Sequence, residues 1–173
     1  MRQIFEKISS KLVDVNAVID LRAALKKQGK KVVFTNGCFD ILHLGHVTYL
    51  SKAADLGDYL IIALNNDASV RAQNKGANRP INNEKARALV LASLSFVDAI
   101  VQFEEDTPLN IIQLIQPDVL VKGADYDENE FNPESKKYIV GSQETRSYGG
   151  VVKTIEFVPN YSTTSILDKQ MKS

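Results

Sequence analysis

Thr35-Asn36-Gly37-Cys38-Phe39-Asp40-Ile41-Leu42-His43-Leu44-Gly45-His46 carries both histidines of the chain, three residues apart, just after the apolar run Val32-Val33-Phe34. If residues 31–34 form a strand and Leu44 begins a helix, the two imidazoles share one face of that helix's first turn. They then stand beside a free helix N-terminus, whose unpaired N–H groups and positive dipole end favour bound phosphate. Such a layout can hold a nucleotide's phosphates and offset charge as one of them is attacked. Imidazole suits that task, since each ring donates hydrogen bonds and can become cationic when the local charge is negative. Gly45 between the rings removes a side chain where a nucleotide must approach the backbone.

Other readings of the pair are weaker. A helical zinc motif places its histidines four apart around a glutamate, and no third histidine exists here to complete a metal site. The bland alternative is that His43 caps the helix and His46 packs. Cys38 has small or apolar neighbours and reads as a packing residue, not as a nucleophile. There is no G-x-x-x-x-G-K-[ST], and no G-x-G-x-x-G follows the first strand, so neither a P-loop nor dinucleotide redox chemistry is supported.

Strand-like and helix-like segments alternate from residue 31 onward. Leu44, Val47, Leu50 and Ala54 recur at helical spacing until Gly57. Residues 59–64 are an unbroken apolar run, as expected of a strand covered on both faces. A polar loop is expected over 65–82, then a helix capped by Asn83 to about residue 94. Residues 98–103 read as a strand, and Thr107-Pro108 as cap and first position of a short helix ended by Pro117. Strands follow at 119–121 and 151–158, with a terminal helix at 164–171. Residues 1–30 read as two helices packed on the sheet edge or on another subunit. This order predicts one Rossmann-like, doubly wound α/β domain with a mostly parallel five-stranded sheet and helices on both faces. Residues 31–173 would be its core and residues 1–30 a helical extension. Ligands in such folds sit beyond the carboxyl ends of the strands, so segments 35–46, 65–79, 122–126 and 159–164 should meet in one crevice.

The 173 residues suit one such domain with a full core. Lys plus Arg equals Asp plus Glu, 21 against 21, so no global basic field recruits nucleic acid or an anionic membrane. A single cysteine excludes an intramolecular disulfide, and no apolar run approaches the ~20 residues that span a bilayer. The start lacks a signal peptide's apolar stretch, and a cytoplasmic location is the expectation.

Gly37-Cys38-Phe39-Asp40-x-x-His43-x-Gly45-His46 resembles the signature of the HxGH nucleotidyltransferases, the cytidylyltransferase-like superfamily. Tyr161-Ser162-Thr163-Thr164-Ser165-Ile166 is similar to that group's second motif, a Ser/Thr-rich turn at the start of the final helix. Asn65-Asn66-Asp67-Ala68-Ser69-Val70, Asn78-Arg79-Pro80, residues 103–108 and Val121-Lys122-Gly123-Ala124-Asp125-Tyr126 resemble the heptose 1-phosphate adenylyltransferase branch, over about residues 17–170.

The resemblance implies transfer of AMP from ATP to a sugar 1-phosphate, here D-glycero-β-D-manno-heptose 1-phosphate. The products would be pyrophosphate and ADP-heptose, which feeds glycans such as lipopolysaccharide. It implies catalysis by positioning and electrostatics without a protein nucleophile. His43, His46 and Lys122 would be the catalytic cations. Asn36, Gly37, Cys38 and Phe39 would line the α-phosphate and nucleoside, and Ser162, Thr163 and Thr164 would bind the outer phosphates. Asp40, Gly45, Asn65, Asp67, Arg79 and Gly123 complete the expected nucleotide and sugar contacts. Asp40 can instead fix the turn before the histidines, Asp67 can cap a helix, and Arg79 and Lys75 can be exposed loop charges. Arg87 could pair with Glu84, three residues back. Mg²⁺ is expected with ATP, with no protein ligands assigned. A homodimer and a separate sugar kinase and phosphatase are the implied partners. Two alternatives stay open: a cytidylyltransferase acting on glycerol 3-phosphate or a related alcohol, and a non-catalytic nucleotide-binding regulatory module.

Overall fold

The computed structural model describes residues 2–73, 79–159, 161–163 and 166. In chain order these form α1 (Ile4–Ser9), β1 (Leu12–Val13), α2 (Val15–Lys27), β2 (Val32–Gly37), α3 (Leu44–Ala54), β3 (Tyr59–Asn65) and α4 (Asp67–Ala72). They continue with α5 (Glu84–Ala92), β4 (Ala99–Phe103), α6 (Leu109–Ile115), β5 (Val119–Gly123), α7 (Ser142–Ser147) and β6 (Val151–Ile155). The strands lie in the order β1-β4-β3-β2-β5-β6, and every pairing is parallel.

The sheet therefore has six strands where five are expected. The extra one is β1, two residues long and bounded by Lys11 and Asp14. It pairs Leu12 with Ile100 and Val13 with Val101 at the sheet edge. Two residues show no period, so residues 1–30 read as helices alone. They are instead helix, strand, helix.

Parallel strands covered on both faces need apolar residues on both, and these alternate between two cores. Val33, Leu60, Ile62 and Leu64 face Leu50, Ala53, Ala88 and Leu91 of α3 and α5. Val32, Phe34, Ile61 and Ala63 face Val18, Leu25, Ile111, Ile112 and Ile115 of α2 and α6. Each large side chain so enclosed contributes about 1.5–3 kcal/mol.

Side-chain caps start the helices that bear on the site. The Asn66 carbonyl oxygen accepts from Ser69 N–H and that of Asn83 from Ala86 N–H, at 2.8 and 2.9 Å. The stretch expected to be loop over 65–82 thus contains α4, capped by Asn66. Thr107 does not cap α6: Pro108 occupies the cap position, with no side-chain cap bond. The register aligns Gly37 with Leu64, Asn65 with Phe103, and Gly123 with Ile155. All carboxyl ends consequently open on one edge. The chain turns back between β2 and β5, where ligands collect in this architecture.

Candidate active site

The turn from β2 to α3 brings the histidines together. His43 is the cap of α3, and its Nδ1 accepts from the His46 backbone N–H at 3.3 Å. An accepting Nδ1 carries no proton, so in the neutral ring the hydrogen sits on Nε2 and is available to donate. The rings stack, with centroids 3.8 Å apart and planes 22° from parallel. Burial lowers the pKa of His43. His46 is pushed down to about 4, by burial first and by His43 second, against the opposing pull of the Ile41 backbone. Both rings are neutral near pH 7 until something anionic enters.

Two glycines and a strained phenylalanine shape this turn. Phe39 has φ +44°, a conformation that a bulky residue adopts only when its surroundings impose it. Its ring lies over Gly37, where an added Cβ would come within 3.0 Å of it. The same ring meets His46 edge-on at 5.2 Å. A Cβ on Gly45 would lie 3.0 Å from the His43 ring and 3.2 Å from the Tyr161 carbonyl oxygen. That second contact joins the histidine turn to the Ser/Thr turn, more than a hundred residues later in the chain.

Buried charges brace the turn from behind. The Asp40 carboxylate is enclosed, accepts from the backbone N–H groups of Ile81 and Asn82 at 2.8 and 3.0 Å, and pairs with Arg79. Arg87, fully buried at its side chain, donates to the Cys38 carbonyl at 2.6 Å, the Asn82 carbonyl at 3.0 Å and the Asp67 carboxylate at 2.7 Å. Its partner is Asp67 and not Glu84, which accepts from the Asp67 backbone N–H.

A crevice of about 570 Å³ opens beyond the β2–β5 ends, lined among others by Asn36, His43, His46, Lys122, Ser162 and Thr163. Gly37, Cys38, Phe39, Gly45 and Gly123 also face it. Lys122 donates to Asn36 Oδ1 at 3.1 Å, and its ammonium lies 4.9 Å from the Tyr126 ring centroid. Gly123 has no room for a side chain, because a Cβ would fall 2.1 Å from Phe157. The Ile166 N–H donates to the Ser162 carbonyl at 3.1 Å, one helical turn back, so Ser162 and Thr163 stand where a helix begins.

The remaining expected residues lie elsewhere. Asn65 lines a second, adjoining cavity of about 460 Å³. Asp40, Asp67 and Arg79 line neither of these cavities: Asp40 pairs with Arg79 and with the backbone, and Asp67 pairs with Arg87. In this structure Asp40, Asp67 and Arg79 brace the turn through these partners. Thr164, Lys75, Asn78 and, Ile166 apart, the terminal helix at 164–171 lie outside the described residues. Tyr49, Phe157 and Gln73 line the cavities and carry no sequence signal of it. Arg87 could have been suspected from its place on a helix with apolar neighbours, where an arginine is rarely buried without a task.

A family model described as Cytidylyltransferase-like matches residues 34–169. The "Bifunctional protein HldE" of Geotalea uraniireducens (strain Rf4) is 49% identical over 160 residues, covering 92% of this chain and 31% of that protein. That of Geobacter sulfurreducens is 46% identical over 164 residues, 95% of this chain and 32% of the relative. The chain thus spans about a third of the length of these curated relatives. Among solved structures, the lipopolysaccharide core biosynthesis protein from Thermoplasma volcanium GSS1 matches with TM-score 0.57 and 28% identity, over 75% of this chain and 98% of that one. The pantoate-beta-alanine ligase from Francisella tularensis, with TM-score 0.59 and 17% identity over 92% of this chain and 76% of that one, shares the fold.

Proposed function

The chain belongs to the cytidylyltransferase-like family, and on that footing we propose that it transfers AMP from ATP to a sugar 1-phosphate, D-glycero-β-D-manno-heptose 1-phosphate in particular. The observation that carries the reading is the convergence of His43, His46, Lys122 and the Ser162–Thr163 turn on one crevice. The heptose is supported by the motifs at 65–70, 103–108 and 121–126 and by relatives named "Bifunctional protein HldE". ATP as donor fits a cytoplasmic reaction. No helix among the described residues is long and apolar enough to cross a membrane.

In this reading a phosphate oxygen of the sugar attacks the α-phosphorus, the bond to the bridging oxygen breaks, and pyrophosphate leaves on the opposite side. The attacking phosphate is already an anion, so no general base is needed. His43 donates from Nε2 to a phosphate oxygen, the tautomer being held by its cap bond. His46 is neutral beforehand; bound phosphate offsets the burial that keeps it so, letting it take a proton from solvent as the nucleotide binds and meet the charge that builds at phosphorus as a cation. Lys122 stands between the two cavities and steadies the attacking phosphate. Ser162 and Thr163 offer hydroxyl and backbone donors to the departing phosphates. The family's activity on ATP implies Mg²⁺. Among the described residues no group of three metal-ligating side chains exists, and Asp125 is the carboxylate lining the crevice. Such a donor set suits an ion held chiefly by phosphate oxygens and water, which would neutralise part of the triphosphate charge.

Pyrophosphate release with ATP or CTP, across a panel of phosphorylated acceptors, tests the proposal. ATP-dependent release with heptose 1-phosphate is expected. Preference for CTP with glycerol 3-phosphate, or tight nucleotide binding without turnover, would overturn it.

A further inference from the structure

We infer that the second cavity is the seat of the acceptor sugar, and that Asp106 with Thr107 at its far end reads hydroxyls there and turns away a second phosphate. The inference rests on the proposed transfer to a sugar phosphate and adds a specificity device to it.

The topology sets out the cavity. Lys122 and Asn36 are the last residues but one of β5 and β2, Asn65 ends β3, and Asp106 and Thr107 follow β4, and all of them line it. These four strands are consecutive neighbours in the sheet. The lining therefore runs across three strand spacings, about 14 Å along the carboxyl edge. A lysine marks one end, amides the middle, and a carboxylate with a hydroxyl the other end. That order matches a ligand with one anionic terminus and an uncharged, hydroxylated body. A carboxylate accepts from sugar hydroxyls through two oxygens and repels phosphate.

The middle is held in place before any ligand enters. Asn65, buried, donates from Nδ2 to Ser69 Oγ at 2.8 Å. Ser69 Oγ in turn donates to the Glu105 carbonyl at 3.2 Å, which ties the Asp106 loop to the end of β3. Cys38 Sγ donates to Gln73 Oε1 at 3.3 Å, setting that amide's orientation. The cavity shares Asn36, Lys122 and Tyr126 with the larger crevice. A phosphate seated at the Lys122 end thus adjoins the space proposed for the triphosphate, while the sugar body points toward Asp106.

The test uses the full chain and the Asp106→Asn variant, whose site is exposed at the rim and carries no core packing. Steady-state pyrophosphate release is measured with heptose 1-phosphate and with the same heptose also phosphorylated at its terminal hydroxyl. Calorimetric titration of both sugars onto protein holding a non-hydrolysable ATP analogue runs in parallel. The variant is expected to raise KM for heptose 1-phosphate about tenfold, the loss of one good hydrogen bond. The KM for ATP should not move, and the preference for monophosphate over bisphosphate should shrink by a similar factor. Thr107→Ala should raise the sugar KM without changing that preference. An unchanged preference, or a shift in KM for ATP in place of the sugar, overturns the assignment, as does failure of the wild type to bind either sugar. Binding that responds to Asp106→Asn in a protein without ATP-dependent turnover would sustain the cavity assignment and sink the proposed reaction.

Discussion

The loops at 38–46 and 104–108 leave parallel strands on the same sheet edge and are held in opposite ways. The first is cross-braced from every side: Asp40 by the backbone of Ile81 and Asn82, Cys38 by Arg87, Gly45 by the close approach of Tyr161. The second is exposed and tethered by a few polar bonds, among them Ser69 to the Glu105 carbonyl and Asn110 to the Glu105 carboxylate at 3.0 Å. A group that must meet charge developing at phosphorus needs fixed geometry, since its value lies in needing no reorganisation. A group that reads hydroxyls tolerates water and adjustment. On the proposed function, this contrast gives the chemistry to the braced loop and the selectivity to the open one.

The sharpest way to break the contrast is His46→Ala. Turnover should fall by about 10²–10³ if the ring stabilises charge in the transition state, with the melting temperature near that of the wild type. Near-normal turnover in a folded variant would reduce His46 to a packing residue. Arg87→Met tests the bracing itself. Removing one partner of a buried pair is expected to cost roughly 3 kcal/mol in urea unfolding and to lower kcat by loosening the Cys38 carbonyl. Unfolding that matches the wild type would show that the loop holds its own shape. Lys122→Met should raise KM for the sugar phosphate about tenfold while leaving ATP binding within a fewfold, and equal loss for both substrates would remove the division between the cavities.

The smallest effect concerns pH. His46 titrates at about 4 in the fold against an ordinary value near 6.5. Between these values the unfolded chain binds a proton that the folded one refuses. This contribution to stability is complete above about pH 6.5 and is lost as pH falls toward 4, with a slope approaching roughly 1 kcal/mol per pH unit. His46→Gln should flatten urea-unfolding stability over that window, leaving the slope from His43 and, toward its acid end, from shifted carboxylates such as Glu105, Glu128 and Asp98. An identical slope in the variant would mean that the ring is not desolvated as the structure indicates.

Part of this site is written locally. Gly37, Phe39, Gly45 and the histidine spacing lie within a dozen positions, and each constrains its neighbours through contacts of one turn. Arg79 and Asp67 show that a charge at a strand end or in a polar loop looks the same in sequence whether it faces ligand or a buried partner. Asp40 and Arg79 are separated by a strand and two helices, and no local pattern announces their pairing. Asp106 lies in an acidic run just before a helix, which by itself signals no ligand, yet it lines the cavity that Asn65 and Lys122 also line.

Apolar periodicity and turn chemistry by themselves determined the alternation of the five expected strands with the larger helices, the helix that begins after His43, and the opening of a crevice at the strand ends. They could do so because period, cap and turn act over a few residues. The tertiary structure alone decided that β1 adds a sixth strand, that Arg87 serves Cys38 and Asp67, and that the strand ends carry two cavities sharing Lys122. Those outcomes depend on which distant side chains meet once the sheet closes, where burial selects charge partners and adjacency of strands sets the length of a groove.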